Sequence, residues 1–300
     1  MLSVILCTHN PRADYFAATV EGLRMQTLSL SEWEFLVIDN ASAEGREPFA
    51  DLSWHANSRW IREDTLGLTP ARLRGIREAS GDLLVFVDDD NVLDPDYLET
   101  VLRIAGEKPF LGSWSGQCRA VFDEPPPEWT RRYWGNLVIR EFSEDRWSNL
   151  PRLGETMPCG AGLCVRREVA RFYLDLNESG QRKFQFDRTG DSLVSGGDND
   201  LAACACDIGF GAGIFSALRL QHLIPPERLT ADYLSRLAEG ITYSSLLLDH
   251  DRGIKVARPS AGRRVLDWLQ WCRSNGADRQ VLGGVLRGRD RALKLIKTTP

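Results

Sequence analysis

Four residues, Asp88, Asp89, Asp90 and Asn91, follow directly on the apolar run LLVFV and are the strongest candidates for chemistry. Three adjacent carboxylates repel one another, and beside a buried strand they are costly unless a cation or hydrogen-bond donors offset their charge. In an extended chain Asp88 and Asp90 point to one side and Asp89 to the other. Hard carboxylate oxygens suit Mg²⁺ or Mn²⁺, and sites of this type are completed by substrate phosphates. An acidic loop capping a helix that starts near Asp94 or Pro95 accounts for the same residues without chemistry. A second acidic pair, Asp198 and Asp200, lies in SGGDNDLAAC, where Gly196 and Gly197 permit close approach of the backbone to a ligand. A helix beginning there presents its positive dipole end to those carboxylates, but from the residues alone an N-cap role for Asp198 is the preferred explanation. His222 follows ALRLQ; a lone histidine among apolar residues is usually part of a core.

The elements that must position these groups are legible from periodicity. Runs at 2–8, 34–39 and 82–88 alternate with helix-like stretches at 13–26, 70–79 and 94–105, the pattern of a mostly parallel sheet. Each run ends in polar residues, and ligands of open α/β sheets bind beyond such strand ends. Residues 110–158, with Pro125 to Pro127, Trp114, Trp129, Tyr133, Trp134 and Trp147, break the alternation and read as irregular or only partly helical. Those aromatics cap a core or offer platforms for sugar rings. GAGLCVRREVARFY reads as a strand entering a helix, GGDNDLAACACDIGF as a helix starting near Asp198, and the stretch from about 227 onward as helical.

Six segments, SVILCTHNPR, FLVIDNAS, LGLTPARLRGIREASGDLLVFVDDDN, CGAGLCVRREV, GGDNDLA and LQHLIP, resemble in order and spacing the family 2 inverting glycosyltransferases of the GT-A fold. The resemblance covers roughly residues 1–225. It implies an α/β GT-A nucleotide-diphospho-sugar transferase fold, a Rossmann-like mixed, mostly parallel sheet flanked by helices, with a C-terminal α-helical extension. The expected organisation is a catalytic domain over 1–226, with a nucleotide-sugar half at 1–109 and an acceptor half at 110–226, followed by a basic helical extension over 227–300.

Carried over motif by motif, the resemblance implies that Thr8, Asn10 and Asp39 line the nucleoside pocket and that Arg72 reaches the base or diphosphate. Asp88 and Asp90 match the D-x-D motif. Asp90 is then the metal ligand, Asp88 lies nearer the ribose and the metal, and Asp89 is counted with the donor-binding residues. Asp198 takes the place of the general base, Asp200 supports it, and His222 completes a site for Mn²⁺ or Mg²⁺. The chain departs from the family pattern at Leu73 and Thr65, where asparagine is usual, and at Gly197, where glutamate is usual. The implied activity is transfer of a sugar, by default from a UDP-sugar, to a saccharide or lipid-linked acceptor in polysaccharide or glycoconjugate synthesis. A sugar-1-phosphate nucleotidylyltransferase would share sheet and metal but needs a Gly-rich basic loop after the first strand, and residues 8–16 contain neither glycine nor lysine. A non-catalytic nucleotide-sugar or glycan-binding protein is the alternative from another class.

Composition bounds these readings. Three hundred residues, 43% hydrophobic and 26% charged, suit one sizeable α/β domain with a smaller appendage. The first apolar run is too short to span a membrane and lacks a basic leader, so a cytoplasmic protein is expected. Seven cysteines without C-x-x-C spacing read as reduced thiols. Of the net charge of -5, residues 251–300 carry twelve Lys or Arg against four Asp, a local +8 that leaves -13 for the rest. That acidic main body disfavours nucleic-acid binding. The basic tail, with Trp268 and Trp271 on an amphipathic stretch, suits either a solvated helical face or contact with an anionic membrane, peripheral to its inner face.

Overall fold

A computed structural model of the chain describes all residues except 44–49, 152–153, 185, 189–192, 275 and 299–300. The strands are β1 (Leu2–Thr8), β2 (Trp33–Asn40), β3 (Ser58–Glu63), β4 (Leu83–Asp88), β5 (Asn91–Leu93), β6 (Leu111–Phe122), β7 (Arg146–Ser148), β8 (Leu163–Arg166) and β9 (Gly211–Ile224). The helices are α1 (Ala13–Arg24), α2 (Leu68–Glu78), α3 (Tyr97–Glu107), α4 (Arg167–Glu178), α5 (Gly197–Asp207), α6 (Ala231–Asp251), α7 (Ala261–Arg273) and α8 (Gly276–Thr298).

The strands join in one sheet in the order β3-β2-β1-β4-β8-β6-β9-β5, with β7 also paired to β9. Strands β3, β2, β1 and β4 run parallel, whereas β8 runs antiparallel to both β4 and β6. Strands β1, β2 and β4 are buried on both faces, as parallel strands between helices must be, and so read as continuous apolar runs. Alternate residues feed two cores. Val4, Leu6, Val37, Val85 and Val87 pack with Phe16, Leu23, Leu98 and Val101 of α1 and α3. Ile5, Leu36, Ile38, Leu84 and Phe86 pack with Ala71, Ile76, Val169 and Leu201 of α2, α4 and α5.

The mixed sheet, flanking helices and helical C-terminal region agree with the expected fold class. Several elements differ from the sequence reading, β6 and α3 among them. The stretch taken as irregular contains β6, twelve residues long and interior to the sheet. Its Trp114 is fully buried and offers no platform for a sugar. Helix α3 begins at Tyr97 with Asp96 in the N-cap position, so Asp94 does not cap it. No helix of the described residues is long and apolar enough to cross a membrane. The cysteines are free, five of them buried.

Candidate functional site

Register brings the polar strand ends together. Thr8 lies opposite Asp39 across β1 and β2, and Cys7 opposite Asp88 across β1 and β4. Beyond these ends opens a cavity of about 360 Å³, lined in part by Thr8, Asn40, Arg72, Asp88, Asp89, Asp90, Asp187, Arg188, Asp198, His222 and Arg228.

The acidic cluster turns at residues 89–90 between β4 and β5, so the alternation of an extended strand does not hold there. Asp89 consequently faces the cavity instead of pointing away, and its Oδ2 accepts the Thr8 hydroxyl at 2.6 Å. Burial and the neighbouring charge of Asp90 push the Asp89 carboxyl up to about 7, with the Thr8 bond opposing. Burial also raises Asp88, against the pull of Arg72.

Asp90 behaves oppositely. Burial works to raise it, but the charge of Arg228 and contact with His222 hold it well below the usual carboxylate range. Arg228 Nη2 reaches Asp90 Oδ2 at 2.8 Å, His222 Nε2 lies 3.4 Å from the same oxygen, and Asn91 Nδ2 donates to Oδ1 at 2.8 Å. His222 is held by β9, opposite Asn91 of β5; it therefore lies within the last core strand and not after it. Its Nε2 also meets Arg228 Nη1 at 3.1 Å, while its buried Nδ1 has no partner among the described residues.

These groups fit a hard divalent cation in part. A carboxylate oxygen and an imidazole nitrogen 3.4 Å apart approach the roughly 3 Å that separates adjacent ligands about 2.1 Å from one ion. Among the described residues no set of three His, Cys, Asp or Glu side chains forms a complete metal centre. Sites of the Mg²⁺ type are ordinarily completed by substrate phosphates and water. The cation now beside Asp90 is the guanidinium of Arg228.

Asp198 is the second residue of α5, whose N-cap is Gly196, so it does not cap the helix. Its Oδ2 accepts the Gly160 N–H at 2.7 Å. Buried Arg72 donates to Asp187 Oδ2 at 2.9 Å, Thr69 donates to the same oxygen, and Asp187 Oδ1 accepts the Gly197 N–H at 3.1 Å. Burial works to lower the pKa of Arg72, but Asp187, Asp198 and Asp88 raise it further. Gly197 permits this packing, because a Cβ there would collide with the Asp187 carboxylate. The glutamate that the family pattern expects at this position would not fit, and Asp187 fills the space instead.

Three candidates lie outside the cavity lining. Asp39 is fully buried, paired with Arg62 at 2.9 Å and accepting the Ser42 N–H, whereas its neighbour Asn40 faces the cavity. Asn10, with φ 48°, uses its Oδ1 to accept the Ala43 N–H. Asp200, in the first turn of α5, is buried and bonded to Arg182 and Arg252. Arg228, Asp187 and Arg188 were not found from the sequence. A signal existed for Arg228: a buried acidic cluster requires a cation, and ERL follows His222 closely.

The sequence model of glycosyl transferase family 2 matches residues 3–173. The chain is 29% identical over 109 residues to the putative glycosyltransferase EpsH of Bacillus subtilis (strain 168), covering 36% of this chain and 31% of that protein. It is 30% identical over 170 residues to validoxylamine A glucosyltransferase of Streptomyces hygroscopicus subsp. jinggangensis (strain 5008), covering 52% and 38%. The match thus spans about a third of the length of these relatives. In fold it is similar to the mannosyltransferase PcManGT of Pyrobaculum calidifontis, solved with GDP-Man and Mn²⁺, with a TM-score of 0.56, 15% identity, and coverage of 100% of this chain and 75% of that one.

Proposed function

Because the chain belongs to glycosyl transferase family 2, we propose that it transfers a sugar from a nucleoside diphosphate sugar to an acceptor hydroxyl, with inversion at the anomeric carbon. The acceptor is a saccharide or a lipid-linked glycan, in polysaccharide or glycoconjugate synthesis. UDP-sugars are the default donors. GDP-sugars are the second class to test, because the Pyrobaculum mannosyltransferase was solved with GDP-Man.

One observation carries this reading: a single cavity holds both the Asp88–Asp90 cluster with its counter-charges and the carboxylate of Asp198. An acceptor hydroxyl is too weakly acidic to attack unaided, and Asp198 takes its proton as the new bond forms. The Gly160 amide fixes one oxygen of that carboxylate. Among the described residues the other accepts from its neighbour Asn199, at 3.2 Å, and the side chain lines the cavity the acceptor would enter. Arg72, Arg188 and Arg228 line the same cavity and supply cationic donors for a diphosphate.

A divalent cation, Mn²⁺ or Mg²⁺, would be held by Asp90 and His222 with Asp88 beside them. When bound, it neutralises charge gathering on the departing diphosphate. Arg228 is the side chain that must yield its place on Asp90. Calorimetric titration of UDP and GDP with Mn²⁺ tests the assignment. Affinity is expected to collapse with chelator and in Asp90→Ala, and to fall less in His222→Ala because water replaces one ligand. Unchanged affinity with chelator and in Asp90→Ala would remove the metal from the reading.

A further inference from the structure

Helix α7 is amphipathic in the reverse of the usual sense. Its one buried side chain is a carboxylate: Asp267 accepts from Arg289 at 2.6 Å and pairs with Arg263 at 2.9 Å, tying the helix to α8. At about 100° per residue, Val265, Trp268, Leu269 and Cys272 fall within a sector of about 100° on the side away from Asp267. That side faces solvent: Val265 is 55%, Trp268 60% and Leu269 36% exposed, with Leu266 at 60% and Trp271 at 40% on its flanks. A helix of a soluble protein ordinarily turns such residues inward, and a contiguous exposed apolar face marks an interaction surface.

The surroundings of this face are basic. Beside the N-terminus of α7, a groove of about 400 Å³ is lined by Arg258, Arg264, Arg289, Lys294 and Lys297, with Asp290 its one carboxylate among the described lining residues. At the other end Arg279 stacks over the Trp271 ring at 4.8 Å. A second copy of the chain would bring two such basic rims together, and their repulsion disfavours a dimer through this face. A surface that pairs an apolar interior with dense negative charge complements both features, and tryptophan and arginine are side chains suited to that boundary.

We propose that α7 docks the protein on an anionic phospholipid surface, with Val265, Trp268 and Leu269 entering the acyl boundary and the basic groove receiving lipid phosphates. The proposed contact is peripheral, because it is made by the exposed face of one surface helix. The inference stands apart from the donor and base assignments, because none of its residues lines the cavity that holds Asp90 and Asp198.

Co-sedimentation of the full chain with phosphatidylcholine vesicles, with and without phosphatidylglycerol, tests it. Binding is expected to require phosphatidylglycerol and to weaken strongly at about 0.5 M NaCl, where the Debye length falls to a few ångströms. Trp268→Glu and Leu269→Glu should each lower the partition coefficient about tenfold or more, and Arg264→Glu about fivefold or more. These side chains are exposed, so an unchanged melting temperature shows that the fold is kept. A fluorophore on Cys272, an exposed thiol on the apolar face, should shift to the blue on vesicle addition. No binding at low ionic strength, or equal binding to both vesicle types, overturns the proposal. So does concentration-dependent dimerisation that Trp268→Glu abolishes in the absence of lipid; that result would give the face to a second copy.

Discussion

Asp198 and Asp89 are carboxylates of one cavity placed in different surroundings, and each yields its own prediction. Asp198 accepts the Gly160 amide through one oxygen and its neighbour Asn199 through the other, and it lines the cavity. Asn at 198 keeps the shape and can still accept from Gly160, but it cannot take a proton. Asp198→Asn should therefore lower kcat by about 10²–10⁴-fold with the Kd for nucleoside diphosphate little changed, as read by steady-state kinetics beside calorimetry. Retained turnover would move the base elsewhere. Asp89, raised to about 7 by burial and by Asp90, affects stability. The unfolded chain releases this proton near pH 4, so the folded state binds the extra proton between about pH 4 and 7 and stability falls as pH rises through that window. Asp89→Asn removes the fall. In metal-free protein its melting temperature relative to the parent should be higher at pH 8 than at pH 5; a difference independent of pH would refute the raised value.

Among the elements, α5 is fastened at both levels of the site. Asp187 accepts its first amide and holds Arg72, while one turn deeper Asp200 receives Arg182 and Arg252 at 2.7–2.8 Å and is itself almost fully buried. Removing one partner of a buried ion pair leaves uncompensated charge. Asp200→Asn should therefore cost about 3 kcal/mol of stability, measured by denaturant unfolding, with kcat of the folded enzyme changed far less than in Asp198→Asn. A dead but fully stable Asp200→Asn would exchange the two roles. Helices α6 and α8 are fastened by contact: Gly284 and Gly288, four apart on α8, leave no space for a Cβ above the backbone of Ser235 and Glu239. The sequence reading gave these two glycines no role, because the backbone against which they pack comes from another helix.

Across the whole molecule, the charge contrast between residues 251–300 and the remainder suggested an appended module, yet the helical region also completes the core and the site. Leu234, Leu237 and Ala238 of α6 bury against Ile224 of β9 and Leu137, and Arg228, just before α6, pairs with Asp90. The sequence by itself determined what local pattern can determine. Apolar runs announced β1, β2 and β4, and the polar residues ending them announced a site beyond the carboxyl ends of these strands. Asp88–Asp90 were recognisable because carboxylates beside a buried strand are costly and therefore rare without a purpose, whereas Asp198 was singled out only by the resemblance of GGDND to the family motif. Strand β6 was hidden, since LGSWSGQCRAVF lacks a β-branched apolar run and is held by β8 and β9 on either side, a pairing between residues distant in the chain. The same non-local packing decided that Asn40 and not Asp39 faces the cavity, that Arg228 neutralises Asp90, and that Asp187 fills the space beside Gly197. Each depends on which side chains meet across the fold, and no spacing along the chain encodes that meeting.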